Sequence, residues 1–211
     1  MKLGRTFILF IGLILPGYSG AALFEFACIT NNSGDCGSIA ALLSLEVTDE
    51  GGGETLFNFS VASGDNAAVK KIFFDDATGL LDYSTATLNQ LVGVGSYGVD
   101  FKPFSAGGNL PAGNTVDFDS TFYTKASPPP GDNKYVIDNG ESLGISFFDT
   151  DFSAILAAIR VFDLQIGVHV GSVGEGYEFS ESLRVVPIPA AFWLFGTALI
   201  GFIGFSRRTK V

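Results

Sequence analysis

The chain has 211 residues, of which 47% are hydrophobic and only 16% charged, and its mean hydropathy is +0.37. This composition excludes a disordered chain, because disordered segments are poor in apolar residues. The net charge of −10 argues against a nucleic-acid partner, because phosphate binding needs concentrated lysine and arginine. One histidine and two cysteines exclude metal sites that need two histidines or four cysteines.

The first 22 residues have the features of a secretory signal peptide. Lys2 and Arg5 form a positive start, and residues 6–15 are apolar but too few to span a membrane stably. Pro16 breaks the segment, and the small residues of 19–22 offer two small-x-small cleavage sites. An uncleaved N-terminal anchor is the alternative that this short apolar run disfavours.

Residues 23–184 form the predicted extracytoplasmic domain. All 22 acidic residues lie here, against seven lysines and arginines, so the domain carries a net charge of −15. Five runs alternate apolar and polar residues, which is typical of half-buried antiparallel strands. These runs are 43–47, 57–61, 116–122, 143–147 and 164–170. Turn signals separate them, so we expect an all-β, jelly-roll-like β-sandwich with phenylalanines between its sheets.

One stretch of this domain has helical spacing instead. Phe152, Ile155 and Ile159 recur at the interval of one helix face, and Asp149 or Asp151 could cap the helix. The sequence therefore predicts one short helix packed on a sheet.

The two cysteines bracket a short polar segment near the start of the domain. Cys28 and Cys36 enclose seven residues, and in an exported protein a disulfide is the expected state of such a pair. A redox-active pair would normally have C-x-x-C spacing, and free thiols would fit a reducing compartment. We therefore expect a structural disulfide worth about 2–3 kcal/mol by the chain-entropy model.

The C-terminal segment 185–211 has the pattern of a transmembrane helix with a basic tail. Residues 185–206 carry no charge and are long enough to cross a hydrocarbon core. Arg207, Arg208 and Lys210 follow at once, and the positive-inside rule places them in the cytoplasm. A buried core helix is the alternative, and it does not explain the basic cluster.

This segment resembles the PEP-CTERM sorting signal, in the variant that begins V-P-L-P-A. The corresponding residues here are Val186, Pro187, Ile188, Pro189 and Ala190, with Pro-Ile-Pro in place of Pro-Glu-Pro. The resemblance implies processing by an exosortase, a membrane-embedded cysteine protease or transpeptidase of Gram-negative bacteria. It also implies a link to exopolysaccharide and biofilm production.

The domain itself also resembles the outer domain of many PEP-CTERM proteins. The similar stretches are 26–36, 45–53, 72–76, 139–145 and 164–170. This resemblance implies an architecture and no enzymatic activity.

Candidate chemical groups in the domain are few. His169, the single histidine, lies at a polar position of a predicted strand, and no Gly-x-Ser-x-Gly elbow accompanies it to suggest a catalytic triad. We expect it to face solvent, and we predict no catalytic residues.

Carboxylates recur in pairs that suit three roles. They could form a solvated acidic face, hold a structural Ca²⁺, or hydrolyse glycosides. Asp75, Asp76 and Asp82 are the best calcium ligands, because Thr78 and Gly79 allow a tight loop between them. We expect no cofactor other than such a calcium ion.

Together these features predict a non-enzymatic, exported protein of the cell surface or extracellular matrix. Its C-terminal helix would anchor it in the inner membrane until an exosortase processes it, and exopolysaccharide would be a partner. The alternative is a carbohydrate-binding or carbohydrate-cleaving module, for which exposed aromatic residues on a concave face would be the sign. The candidates for that face are Tyr83, Tyr97, Tyr123 and Tyr177.

Overall fold

The computed structural model describes residues 20–63, 67–91, 98–127, 135–173 and 179–187. In these ranges the chain is mostly β, with ten strands and two short α-helices. The strands are β1 (Ala21–Cys28), β2 (Leu43–Gly51), β3 (Glu54–Val61), β4 (Ala68–Asp76), β5 (Thr87–Leu91), β6 (Ser105–Ala106), β7 (Phe122–Lys125), β8 (Ser142–Phe147), β9 (Leu164–Val173) and β10 (Phe179–Val186). The helices are α1 (Cys36–Leu42) and α2 (Phe152–Val161).

All strand pairs are antiparallel, in the order β5-β8-β3-β2-β1-β10-β9-β4-β7-β6. Strand β1 belongs to two sheets, because residues 21–24 pair with β2 and residues 25–28 pair with β10. We call β5-β8-β3-β2-β1 the first sheet and β1-β10-β9-β4-β7-β6 the second sheet. The predicted antiparallel, sandwich-like architecture is therefore confirmed.

Phenylalanine rings fill the space between the sheets. Phe74 of the second sheet meets Phe57 and Phe147 of the first sheet edge to face, with ring centroids 6.0 and 5.6 Å apart. Phe74 also stacks on Phe122 of the neighbouring strand at 4.9 Å. All four side chains are fully buried. Aromatic pairs of this geometry add to the stabilisation that their burial provides.

A second, smaller apolar cluster covers the outer face of the second sheet. Phe73 packs there against Leu110 and Phe118, which come from the segment between β6 and β7. Because Phe73 is buried outside the sandwich and Phe74 inside it, β4 is apolar on both faces. This two-sided burial explains why β4 lacks the alternation by which other strands were predicted.

The predicted strand over 116–122 is wrong. Val116 is the last residue of a 3₁₀ turn (Gly113–Val116), and the strand β7 begins only at Phe122. Ala112 and Asp117 have φ values of 59° and 52°, and left-handed backbone of this kind interrupts an extended chain. The shared parity of Phe118 and Phe122 is therefore coincidental, since Phe118 belongs to the outer cluster.

The helix predicted around residues 152–159 is confirmed as α2, with Asp151 as its cap. The Asp151 carboxylate accepts hydrogen bonds from the backbone N–H groups of Ser153 and Ala154, at 2.9 and 3.2 Å. The prediction of a single helix is wrong, because α1 is a second one. Gly37 and Ser38 weaken its sequence signal, since both are poor helix formers.

The β-sheet extends past both predicted domain boundaries. Ala21 pairs with Thr48, so β1 starts inside the predicted signal peptide of residues 1–22. Val186 pairs with Glu25, so β10 ends two residues beyond the predicted boundary at 184. Of the predicted span 185–206, residues 188–206 lie outside the described residues. Within the ranges that are described, no helix is long and apolar enough to cross a membrane.

Candidate functional site

A groove of about 600 Å³ opens between the edge strand β5 and the chain just before β6. Its lining residues come from both sides of this opening: Tyr83, Ser84, Ala86, Leu88, Phe101, Pro103 and Phe104. Tyr83 presents a ring that is half-buried, and the ring stacks on Phe122 at a centroid distance of 4.7 Å. The core therefore fixes the position of the tyrosine at the groove.

The groove combines an apolar wall with few polar groups, as small-ligand sites generally do. Next to Tyr83, the hydroxyl of Ser84 donates to the carboxylate of Asp82 at 2.7 Å. This hydrogen bond and a second one from the backbone N–H of Ser84, at 2.9 Å, lower the pKa of Asp82. Chemically, the groove offers an aromatic ring and a hydroxyl, which suit a sugar ring.

The four tyrosines predicted to mark a carbohydrate site do not form one surface among the described residues. Tyr83 lines the groove, whereas Tyr123 stacks on Phe73 at 5.6 Å on the outer face of the second sheet. Tyr97 and Tyr177 lie outside the described residues. The groove residues Leu88, Phe101 and Phe104 carried no signal in the sequence, because they gather from separate segments.

The predicted disulfide between Cys28 and Cys36 is confirmed, with the two Cα atoms 6.1 Å apart. The loop that it closes folds over β10. The backbone N–H of Ile29 donates to the carbonyl of Ser182 at 2.8 Å, and the side-chain amide of Asn32 donates to the carbonyl of Ser180 at 2.7 Å. The disulfide therefore fastens a loop that is also bound to the last strand of the domain.

A buried carboxylate, Glu181 of β10, lies beneath this loop. Its oxygens accept hydrogen bonds from the hydroxyl of Thr30 at 2.7 Å and from the backbone N–H and hydroxyl of Ser33 at 2.6 and 2.8 Å. Burial alone would raise the pKa of Glu181, but these bonds and one from the backbone of Asn32 outweigh it and lower the pKa. Glu181 is thus an ionised structural anchor for the disulfide loop.

Sequence analysis missed Glu181, although one signal was present. Glu181 has the parity of Leu183 and Val185, whose side chains are in the core. An acidic residue on the inner face of a strand needs donors around it, and the polar disulfide loop supplies them.

The three predicted calcium ligands have separate local partners. Asp75 and Asp76 are adjacent on β4, so their side chains point to opposite faces of the sheet. The buried carboxylate of Asp76 accepts hydrogen bonds from the backbone N–H groups of Leu80 and Leu81, at 3.1 and 2.8 Å. No group of three metal-ligating side chains occurs in the part of the chain that the structure describes.

On the other face of β4, Asp75 accepts a hydrogen bond from the backbone N–H of Asp119 at 2.9 Å. Burial raises the pKa of Asp75, and the charges of Asp119 and Asp76 act in the same direction. Asp82, in contrast, is exposed, and its carboxylate accepts a hydrogen bond from the backbone N–H of Ser84 at 2.9 Å. The described structure therefore does not gather Asp75, Asp76 and Asp82 into one ligand set.

Calcium binding stays a prediction, and a comparison of two cations tests it. A site built by Asp75 and Asp76 should let Ca²⁺ raise the melting temperature more than Mg²⁺ at equal ionic strength, because Mg²⁺ demands stricter geometry. Asp75→Asn with Asp76→Asn should remove that difference. Equal shifts from both cations would mean that they only screen an acidic surface.

His169, predicted to face solvent, lies on the outer face of the second sheet and is half-buried there. It stands opposite Lys71 of β4 and Ser182 of β10. Burial lowers the pKa of His169, and the positive charges of Lys71 and Lys70 lower it further. Within the described ranges, Nδ1 of His169 has no hydrogen-bond partner, whereas in a catalytic triad this atom donates to an orienting carboxylate.

Comparison of the chain with protein-family models, with curated proteins and with solved structures returned no match.

Proposed function

We propose that this chain is an exported, non-enzymatic protein of the cell surface or extracellular matrix, sorted by an exosortase and linked to exopolysaccharide. The observation that carries the proposal is the disulfide between Cys28 and Cys36. Structural disulfides persist in oxidising compartments outside the cytoplasm, as a secreted domain requires. The signal-peptide pattern of residues 1–22 is consistent with the same compartment.

The proposed sorting segment begins where the described domain ends. Val186 is the last residue of β10 and Pro187 follows it, whereas Ile188, Pro189 and Ala190 lie outside the described residues. Two prolines two residues apart keep a backbone extended, which is the form a protease binds. In this proposal, the segment 185–211 contains a transmembrane helix that holds the protein in the inner membrane until processing.

The architecture that we propose is jelly-roll-like. The first and last strands pair with each other, and so do β3 and β8, which lie far apart in the chain. Pairing of distant strands around one core is typical of jelly rolls.

A charge reversal at the C-terminus tests the sorting proposal. Arg207→Glu with Arg208→Glu should leave much of the protein undelivered to the cell surface, because the basic tail fixes the helix orientation. Surface labelling of cells that express the full chain measures delivery, and Arg160→Glu is the control for a charge change elsewhere. Unchanged delivery of the double variant contradicts the proposal.

The groove supports a second candidate function, carbohydrate binding. The groove has a volume of about 600 Å³ and presents aromatic and hydroxyl groups, which suit a small sugar. Stacking on Phe122 holds the ring of Tyr83 in place. Rigid aromatic side chains bind with little loss of conformational entropy.

Filling the groove tests this candidate. Ser84→Trp should abolish glycan-array binding by the full chain, because an indole would occupy the cavity that Ser84 lines. The matched control is Thr85→Trp, which adds the same indole at an exposed position outside the lining. If both variants bind glycans as the original protein does, the groove is not a sugar site.

A further inference from the structure

Basic side chains lie in a row across the outer face of the second sheet. The register places Lys125 of β7 opposite Lys71 of β4, and Lys71 opposite His169 of β9. Lys102 extends the row, because its backbone N–H donates to the carbonyl of Lys125 at 2.9 Å in an antiparallel pair. We call Lys102, Lys125, Lys71 and His169 the basic row.

The basic row faces away from the core. Its neighbours along the strands, Phe101, Ile72 and Val168, are all buried between the sheets. Side chains alternate along a strand, so the four basic residues share the opposite face. At about 4.8 Å between strands, the row spans about 14 Å.

The row is costly to fold, because like charges directly opposite each other destabilise a sheet. The chain has 22 acidic residues to relieve this cost, yet no ion pair involves Lys71, Lys102 or Lys125 within the described ranges. Asp100 lies two positions before Lys102, in a segment that joins the sheet through isolated bridges at Val99 and Phe101. A concentrated positive charge therefore lies on the outer face of a domain whose net charge is −15.

Two further observations concern polar and charged groups next to the row. Ser182 stands opposite His169 at the inner end of the row and is only 1% exposed. Among the described residues, neither its hydroxyl nor Nδ1 of His169 has a hydrogen-bond partner. The side chain of Lys70 lies against Gly171 on this face and adds a further basic group. Burial lowers the pKa of Lys70. Buried polar atoms without partners are rare and often mark a functional position.

We infer that the basic row binds a linear polysaccharide that carries a carboxylate on each sugar, with the polysaccharide chain lying across the strands. The three lysines of the row are cations at the spacing of adjacent strands, which matches anionic groups that recur once per sugar ring. This inference extends the proposed function and rests on it in one respect, because export brings the domain to extracellular polysaccharide.

A polysaccharide fits the row better than a nucleic acid does. Single-stranded nucleic acids are bound by several aromatic side chains on which successive bases stack, whereas beside the row Tyr123 is already stacked on Phe73 at 5.6 Å. The net charge of −15 on the whole domain repels any polyanion at long range, so attraction to the row is confined to short range.

Binding of polygalacturonate to the full chain, purified in a neutral detergent, tests the inference. The matched ligand is fully methyl-esterified polygalacturonate, which keeps the sugar backbone and loses the charges. We expect the acid form to bind at low salt and the ester not to bind. Lys71→Gln should raise the Kd about tenfold, the loss of one charge-assisted contact.

Arg160→Gln is the matched control, because it removes one exposed positive charge from α2, away from the row. It should leave the Kd unchanged. Lys125→Gln repeats the test at an exposed position of the row, should Lys71→Gln fail to fold.

Several results would overturn the inference. Equal binding of acid and ester, equal loss in Arg160→Gln and Lys71→Gln, or no binding of the acid form would each do so. Tighter binding of single-stranded DNA or of anionic lipid vesicles would assign the row to a different partner. These outcomes leave the sorting proposal intact, because delivery to the surface is measured separately in cells.

Discussion

Phe74→Ala should lower the free energy of unfolding by about 3–5 kcal/mol, the usual cost of emptying a buried phenylalanine site. Phe74 has contacts with Phe57, Phe59, Phe104 and Phe147 across the core and stacks on Phe122. The rings come from both sheets, so the cavity would lie between them. Thermal unfolding followed by near-ultraviolet circular dichroism measures the loss.

Leu23→Ala is the control for this variant. Leu23 is 55% exposed on β1, so its truncation should change stability by no more than about 0.5 kcal/mol. Similar losses in the two variants would contradict a phenylalanine-filled core.

Glu181→Ala should cost about 3 kcal/mol, because it leaves the hydroxyl of Thr30 and the backbone N–H of Ser33 without their charged acceptor. The disulfide loop would then lose its contact with β10, and hydrogen exchange of residues 29–33 should accelerate. Glu46→Ala removes an exposed glutamate on β2 and should leave both measurements unchanged.

Glu181 should also make stability depend on acidic pH. Its pKa is lower in the folded state than in the unfolded chain, so its contribution is present above the unfolded pKa. That contribution is lost as pH falls through the folded pKa. Between about pH 5 and pH 3, the original protein should therefore lose more stability than Glu181→Gln does. Parallel losses would show that Glu181 is not the titrating anchor.

Alternation and spacing predicted much of the fold, and they failed where tertiary contacts override local pattern. Strands β2, β3, β8 and β9 each have one face in the core, so their sequences alternate as expected. Strand β4 is covered on both faces, which removes its alternation.

The candidate sites were predictable only where they are local in the chain. The disulfide joins residues eight positions apart, so the two cysteines and the polar loop between them could be recognised in one stretch of sequence. The basic row, in contrast, is created by cross-strand register between Lys71, Lys125 and His169, which no single stretch of sequence contains. The calcium hypothesis treated Asp75 and Asp76 as neighbours, whereas the strand turns them to opposite faces.

Mass spectrometry of the non-reduced protein, isolated from the surface of cells that express the full chain, tests export and processing most directly. The predicted result has three parts: a new N-terminus at Ala22 or Leu23, a peptide that links Cys28 to Cys36, and loss of the basic tail after a cut beyond Val186. A cut beyond Val186 would leave β10 whole, because this strand includes Val186 and pairs it with Glu25. A chain that retains both Met1 and Val211, with two alkylatable thiols, would contradict the proposed function.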